Sequence, residues 1–258
     1  MSKHNALQMF GRSGNPALND ATFSNFEPSE NVGSFMTLQG TVNKTGILLA
    51  LVVLTASYTW NQFFISEDVS SVMPLAIGGA IVGFVLALAT IFKKNWSGVT
   101  APAYALAQGL FLGAISAIFE SQYQGIVIQA VGLTLGTLAS LLVLYKTGVI
   151  KPTENFRLMI VSATMGIALL YVVSMVMNMF GSSGIGFIHS NGLFGIGFSL
   201  FVVAIAALNL VLDFDFIEQG SEQGAPKYME WFGAFSLMVT LIWLYLEMLR
   251  LLAKLRSR

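Results

Sequence analysis

The chain has no cysteine, which excludes a disulfide framework, a thiolate metal site and a cysteine nucleophile. Histidine is almost as scarce. His4 and His189 stand far apart, and both fall outside the long apolar runs. A histidine-based metal site or catalytic triad is therefore not expected. Charge is sparse as well: Asp, Glu, Lys and Arg make up 10% of the 258 residues, against about 25% in a soluble domain. The formal net charge is zero, so nothing in the balance points to nucleic acid or to an acidic partner. No nucleophile–base pattern for hydrolysis is visible, and the expectation is a non-enzyme without cofactors. Residues 1–40 are polar and lack a basic start followed by an apolar run, so no cleavable signal peptide is expected.

What the chain has instead is apolar length. Hydrophobic residues are 55% of the sequence, and they fall in runs near the roughly 20 residues that a helix needs to cross a bilayer. Seven such segments stand out, at about 45–64, 71–92, 101–120, 125–145, 156–180, 193 to at least 211, and 231–252. They do not alternate apolar and polar residues, as membrane β-strands would. Polar breaks separate them: Lys93, Lys94, Asn95 and Trp96; Lys146, Lys151 and Pro152; Gly181 to Gly184; and Gln219, Gly220, Gly224 and Pro226. The expected fold is all-α, a polytopic membrane protein of seven transmembrane helices. Residues 1–43 read as a flexible cytoplasmic tail, 44–254 as the membrane domain and 255–258 as a basic end.

With the N-terminus inside, Lys3, Arg12, Lys44, Lys93, Lys94, Lys146, Lys151, Arg157 and Lys227 all fall on the cytoplasmic side, as the positive-inside rule requires. The three short outer loops carry no Lys or Arg. Arg250, Lys254, Arg256 and Arg258 break the rule if the seventh segment crosses fully, which its length favours. Segments one to three and four to six have the odd count that inverted repeats need. Gly79 and Gly83, Gly109 and Gly113, and Gly132 and Gly136 are spaced for close helix packing.

The chemistry is expected where ionisable residues enter apolar segments, because each costs at least about 2.5–3.5 kcal/mol at a helix centre. Asp213 and Asp215 in the sixth segment, Glu247 in the seventh and Glu120 at the end of the third meet that description. Asp213 and Asp215 are two residues apart, about 200° around a helix, so they do not share a face. Asn209 and Asp213 are four apart and do, which suggests a polar track. Asp215 and Glu218 are three apart and would mark the emerging cytoplasmic end. Glu247 has two readings: an ion pair with Arg250 three residues on, or a partner for Asp213 across the bundle. Glu120 is a candidate outer-mouth acid.

Leu212-Asp213-Phe214-Asp215-Phe216-Ile217 followed by Leu244-Tyr245-Leu246-Glu247 resembles the transmembrane Bax inhibitor motif family. Gly98-Val-Thr-Ala-Pro-Ala-Tyr-Ala, Gly109-Leu-Phe-Leu-Gly-Ala-Ile-Ser and Ala225-Pro-Lys-Tyr-Met-Glu-Trp resemble its bacterial branch. The resemblance runs from about residue 41 to 256. It implies a last helix placed centrally between two three-helix layers, and a pH-sensitive calcium leak in a bacterial inner membrane. It also implies that a carboxylate pair on the last two helices senses pH and closes the pore. By position these are Asp213 and Glu247, with glutamate here where the family has aspartate, and they would contact calcium transiently. The family's leak is also linked to an arginine in the second helix; residues 71–92 contain none.

Two carboxylates at about 5 Å repel by roughly 3 kcal/mol at an effective dielectric near 20, enough to make them share a proton. Calcium takes 6–8 oxygens; Asp213, Glu247 and Asn209 supply too few, so passage rather than storage is expected. Asp213 lies 11 residues before Gly224 and Glu247 lies 16 after Trp231. A symmetric hairpin would set their heights about 7 Å apart. Two other readings share the composition. One is a non-transporting regulator that binds another membrane protein, such as a quality-control protease. The other is a proton-coupled transporter of small solutes.

Overall fold

The structure, a computed structural model, describes residues 35–181 and 185–257. Most of the expected N-terminal tail, and His4 with it, lies outside the described residues. Seven long helices follow in order: α1 Leu38–Ser66, α2 Val69–Phe92, α3 Ser97–Gln122, α4 Ile126–Lys146, α5 Glu154–Met179, α6 Leu193–Glu222 and α7 Met229–Arg256. All seven are long and apolar enough to cross a membrane. A 3-10 turn, Lys94–Trp96, precedes α3, and a short helical turn, Gly186–His189, precedes α6. Among the described residues there is no strand, only an isolated bridge between Phe35 and Pro226. The chain is a seven-helix, all-α membrane protein.

The helix ends have local causes. Thr37 is extended, and its hydroxyl accepts from the Gly40 amide at 3.0 Å, so α1 starts well before its apolar run. Glu67 closes α1 in the left-handed region at φ 52°, and Asp68 caps α2 through the Ser70 amide at 2.9 Å. Those two residues form the whole connection. The α6 helix runs on to Glu222, past the point where hydropathy falls, and so carries Asp213, Asp215 and Glu218 within it.

The chain forms two compact units. One comprises the described part of Phe23–Val127 with Ile217–Val239; the other holds Ile128–Phe216 and Thr240–Arg258. In the first unit, α3 packs closely against both α1 and α2, and glycine sets the approach. A methyl group at Gly79 would meet the Ala107 carbonyl of α3 at 2.5 Å, and one at Gly83 would meet the Gln108 amide at 2.7 Å. At Gly109 it would overlap Thr55 and the Val52 carbonyl of α1, and at Gly113 the Ala56 backbone. Gly132 and Gly136 of α4 have nothing within 4 Å. Thus two of the three glycine pairs serve packing inside the first unit.

That unit also contains a polar clasp. The Met36 amide donates to the Ala225 carbonyl at 2.7 Å. Glu230, fully buried in the first turn of α7, accepts from the Thr37 amide at 2.9 Å and the Thr37 hydroxyl at 2.8 Å. Lys227 pairs with it at 2.8 Å, and Lys44 of α1 pairs with it as well. Lys44 lies over the Trp231 ring. The clasp fixes the entry of α1 against the α6–α7 connection.

In the second unit, Ile160, Val161 and Ile167 of α5 form a core with Val202, Ile205 and Leu212 of α6, flanked by Tyr171, Phe198 and Trp243. The outer faces of α4 and α5 stay apolar: Ile128 is 72% exposed and Leu169 66%. A soluble protein rarely tolerates such surface in bulk, whereas acyl chains cover it without cost. The α7 helix is the opposite case. Its most apolar stretch is 72% buried, against 22% for α1, α2 and α4.

These contacts give two expectations for the protein in detergent. Gly113→Leu should lower stability by about 1–3 kcal/mol or more through overpacking against α1, while Gly132→Leu should leave the thermal unfolding midpoint nearly unchanged. Glu230→Ala should cost about 3 kcal/mol, because it strips the partner from Lys44 and Thr37; thermal unfolding and faster proteolysis between residues 35 and 45 would register it.

Candidate functional site

The second unit gathers most of the ionisable residues singled out in the sequence, and helix geometry sorts them. Asp213 points from α6 toward α7, where the Thr240 hydroxyl donates to its Oδ2 at 2.5 Å; Asp213 is fully buried. Asp215, about 200° around the same helix, points to α5 and pairs with Arg157 at 2.5 Å. Asn209 is one turn from Asp213. Its amide nitrogen donates to Thr164 of α5 at 2.8 Å and to the Ile205 carbonyl at 2.9 Å, while its Oδ1 is buried without a hydrogen-bond partner.

Glu247 is held from two sides. Tyr171 of α5 donates its hydroxyl to Oε1 at 3.1 Å, and Arg250 donates to the same oxygen at 2.7 Å. Arg250 also donates to the Tyr171 hydroxyl at 2.8 Å and lies over its ring. Glu247 is 2% exposed, and its second oxygen, Oε2, is buried with no hydrogen-bond partner. The i, i+3 ion pair is therefore present, on a buried carboxylate rather than at a wet surface.

Farther along α7, Lys254 is buried and donates to the Ile188 carbonyl at 2.6 Å, the Gly195 carbonyl at 3.0 Å and the Ser199 hydroxyl at 2.8 Å. This fixes the α6–α7 register in the second unit. The Asp213–Thr240 and Ser199–Lys254 contacts are fourteen residues apart on both helices. Halfway between them, that register sets Ala206, which is fully buried, at the height of Glu247. Asp213 and Glu247 are thus about two turns apart along the helices, near 10 Å at 1.5 Å per residue. At that distance, with a dielectric near 20, two charges repel by about 1.7 kcal/mol, half the value at 5 Å. Each carboxylate has its own neutral hydroxyl partner, Thr240 or Tyr171, and Asn209 stands at a height between them.

The other two candidates lie in the first unit. Glu120 turns from the end of α3 to accept from the Gly125 amide at 2.5 Å and the Val127 amide at 3.1 Å, so it caps the start of α4. Glu218 is half-buried on α6. Among the described residues, no group of three or more His, Cys, Asp or Glu side chains is placed to hold a metal ion.

Sequence reasoning reached Asp213, Asn209, Asp215 and the Glu247–Arg250 pair. It did not reach Thr240 or Tyr171, which look like ordinary members of apolar runs, nor the Lys254 cradle, two of whose three acceptors are backbone carbonyls. The excess of base at the end of α7 was the visible signal for the last. Lys254 is buried and Arg250 is tied to Glu247 and Tyr171, so both are engaged within the second unit.

No curated protein and no solved structure matches the chain. A family model described as Bax inhibitor 1 like matches residues 15–257, nearly the whole length. Its span covers all seven helices, including the α6 and α7 acids. The chain is therefore a multi-pass membrane protein that belongs to the Bax inhibitor 1 like family.

Proposed function

We propose that the protein is a pH-sensitive, calcium-permeable leak channel of a bacterial inner membrane, gated by protonation of Asp213 and Glu247. The observation that carries the reading is Asp213 itself: a fully buried carboxylate in a membrane-length helix, held by a hydroxyl of the next helix. A hydroxyl both donates and accepts. When Asp213 is ionised, Thr240 donates to it. When Asp213 is protonated, its own O–H donates to Thr240 and the direction of the α6–α7 link reverses. The buried charge disappears at the same step, and with it the strongest attraction for a passing cation.

The oxygens also support passage over storage. Asp213, the free Oδ1 of Asn209 and the free Oε2 of Glu247 follow one another at intervals of about a turn. Calcium takes 6–8 oxygens, so no single step of that ladder satisfies it, and water completes the shell at each. Weak successive sites are what conduction requires. Tyr171 and Arg250 pre-orient Glu247, so the two carboxylates have different hydrogen-bond partners.

The regulator reading cannot draw on the α2 and α3 glycine pairs as a docking face, because packing within the first unit occupies them. It makes a distinct forecast: no flux from the purified protein, and a membrane protease or other membrane protein that co-purifies stably.

In proteoliposomes loaded with a calcium dye, wild-type flux should change with pH across the neutral range. Asp213→Asn, which fixes the neutral state, should abolish that pH-dependent component, and Glu247→Gln should reduce it. Thr240→Val, which removes the hydroxyl that donates to Asp213 while keeping its shape, should shift the midpoint of the response. Flux that is absent, indifferent to pH, or unaltered in Asp213→Asn would refute the proposal.

A further inference from the structure

Lys254 poses a separate question. Its Nζ donates to three acceptors, the full complement of an ammonium group. All three acceptors are neutral oxygens, two of them main-chain carbonyls. The side chain is buried, and the carboxylate nearest along its own stripe of α7 is Glu247, two turns back, with Arg250 between them. A bare lysine in a membrane segment usually reaches for water at the interface. Here the residues around Ile188 and the first turns of α6 have wrapped oxygens around it instead.

An oxygen cradle of this kind is how proteins hold a dehydrated monovalent cation, with carbonyl dipoles in place of the hydration shell. A divalent ion would call for carboxylates, and the cradle has none. Ammonium and potassium ions are similar in size and are held at similar oxygen distances. We propose that the Ile188 carbonyl, the Gly195 carbonyl and the Ser199 hydroxyl form a monovalent-cation site whose resident ion is the chain's own Lys254 ammonium. The lysine is a tethered ion. It joins the end of α7 to the start of α6 and denies the site to free cations. Its effect on conduction rests on the leak reading; its occupancy of a cation site does not.

The test removes the tether and offers the ion back. Full-length Lys254→Ala, purified in detergent, is unfolded thermally in potassium, methylammonium or choline chloride at constant ionic strength. Potassium and methylammonium should raise the midpoint saturably, by about 3 °C at ten times the dissociation constant. Choline, too large for the cradle, should not. Wild type should show no such difference, and adding Ser199→Ala to the variant should weaken the rescue. A Lys254→Ala protein equally stable in all three salts would overturn the proposal. So would a variant that cannot be recovered folded in any of them, since free cations would then be unable to replace the ammonium. Recovery only in potassium or methylammonium would support it. The calcium flux of the same variant separates the two ideas. Cation-dependent stability without flux in any protein would leave the cradle assignment standing and remove the leak. A pH-gated wild-type flux with no cation effect on Lys254→Ala would do the reverse.

Discussion

Polar groups in a low-dielectric slab must find partners inside the protein, and in this chain α7 concentrates that demand. Thr240, Glu247 and Lys254 recur every seven residues along one side of it. Each finds partners within the second unit: Thr240 in Asp213, Glu247 in Tyr171 and Arg250 through Oε1 alone, and Lys254 in carbonyls and Ser199. The apolar core of α5 and α6 sets the spacing at which those bonds close. Loss of one partner would strand a buried charge or donor, which costs more than the bond itself contributes.

The elements were plain in the sequence because hydrocarbon thickness and apolar run length are the same quantity seen twice. Their ends were less so. The α1 helix begins at Leu38 because Thr37 caps it and Glu230 receives Thr37, a contact 193 residues away that no local pattern announces. The α6 helix continues to Glu222 because Asp213 and Asp215 find partners in opposite directions, so the fall in hydropathy there is not the end of the helix.

The candidate site was legible to the same degree. The 200° between Asp213 and Asp215 correctly separates a carboxylate facing α7 from one facing α5, since it depends on helix geometry alone. Which residue answers each depends on register, which is tertiary. Counting from the α6–α7 connection already places Asp213 and Glu247 at different heights, and the register accounts for it by setting Ala206 at the height of Glu247 and Thr240 opposite Asp213. Main-chain acceptors such as those around Lys254 leave no trace in residue identity at all.

The paired spacing on α6 and α7 has a consequence for how this family member can change. Asp213 and Ser199 must both meet their partners on α7, and the distance between the partners matches. Substitutions within 200–212 or 241–253 leave that match intact. A single inserted or deleted residue does not, because it turns one contact about 100° away from the other and shifts it by 1.5 Å. Outside the core and site residues of these stretches side chains can vary while the lengths are locked, and a compensating indel on the opposite helix is a length change the pair can absorb.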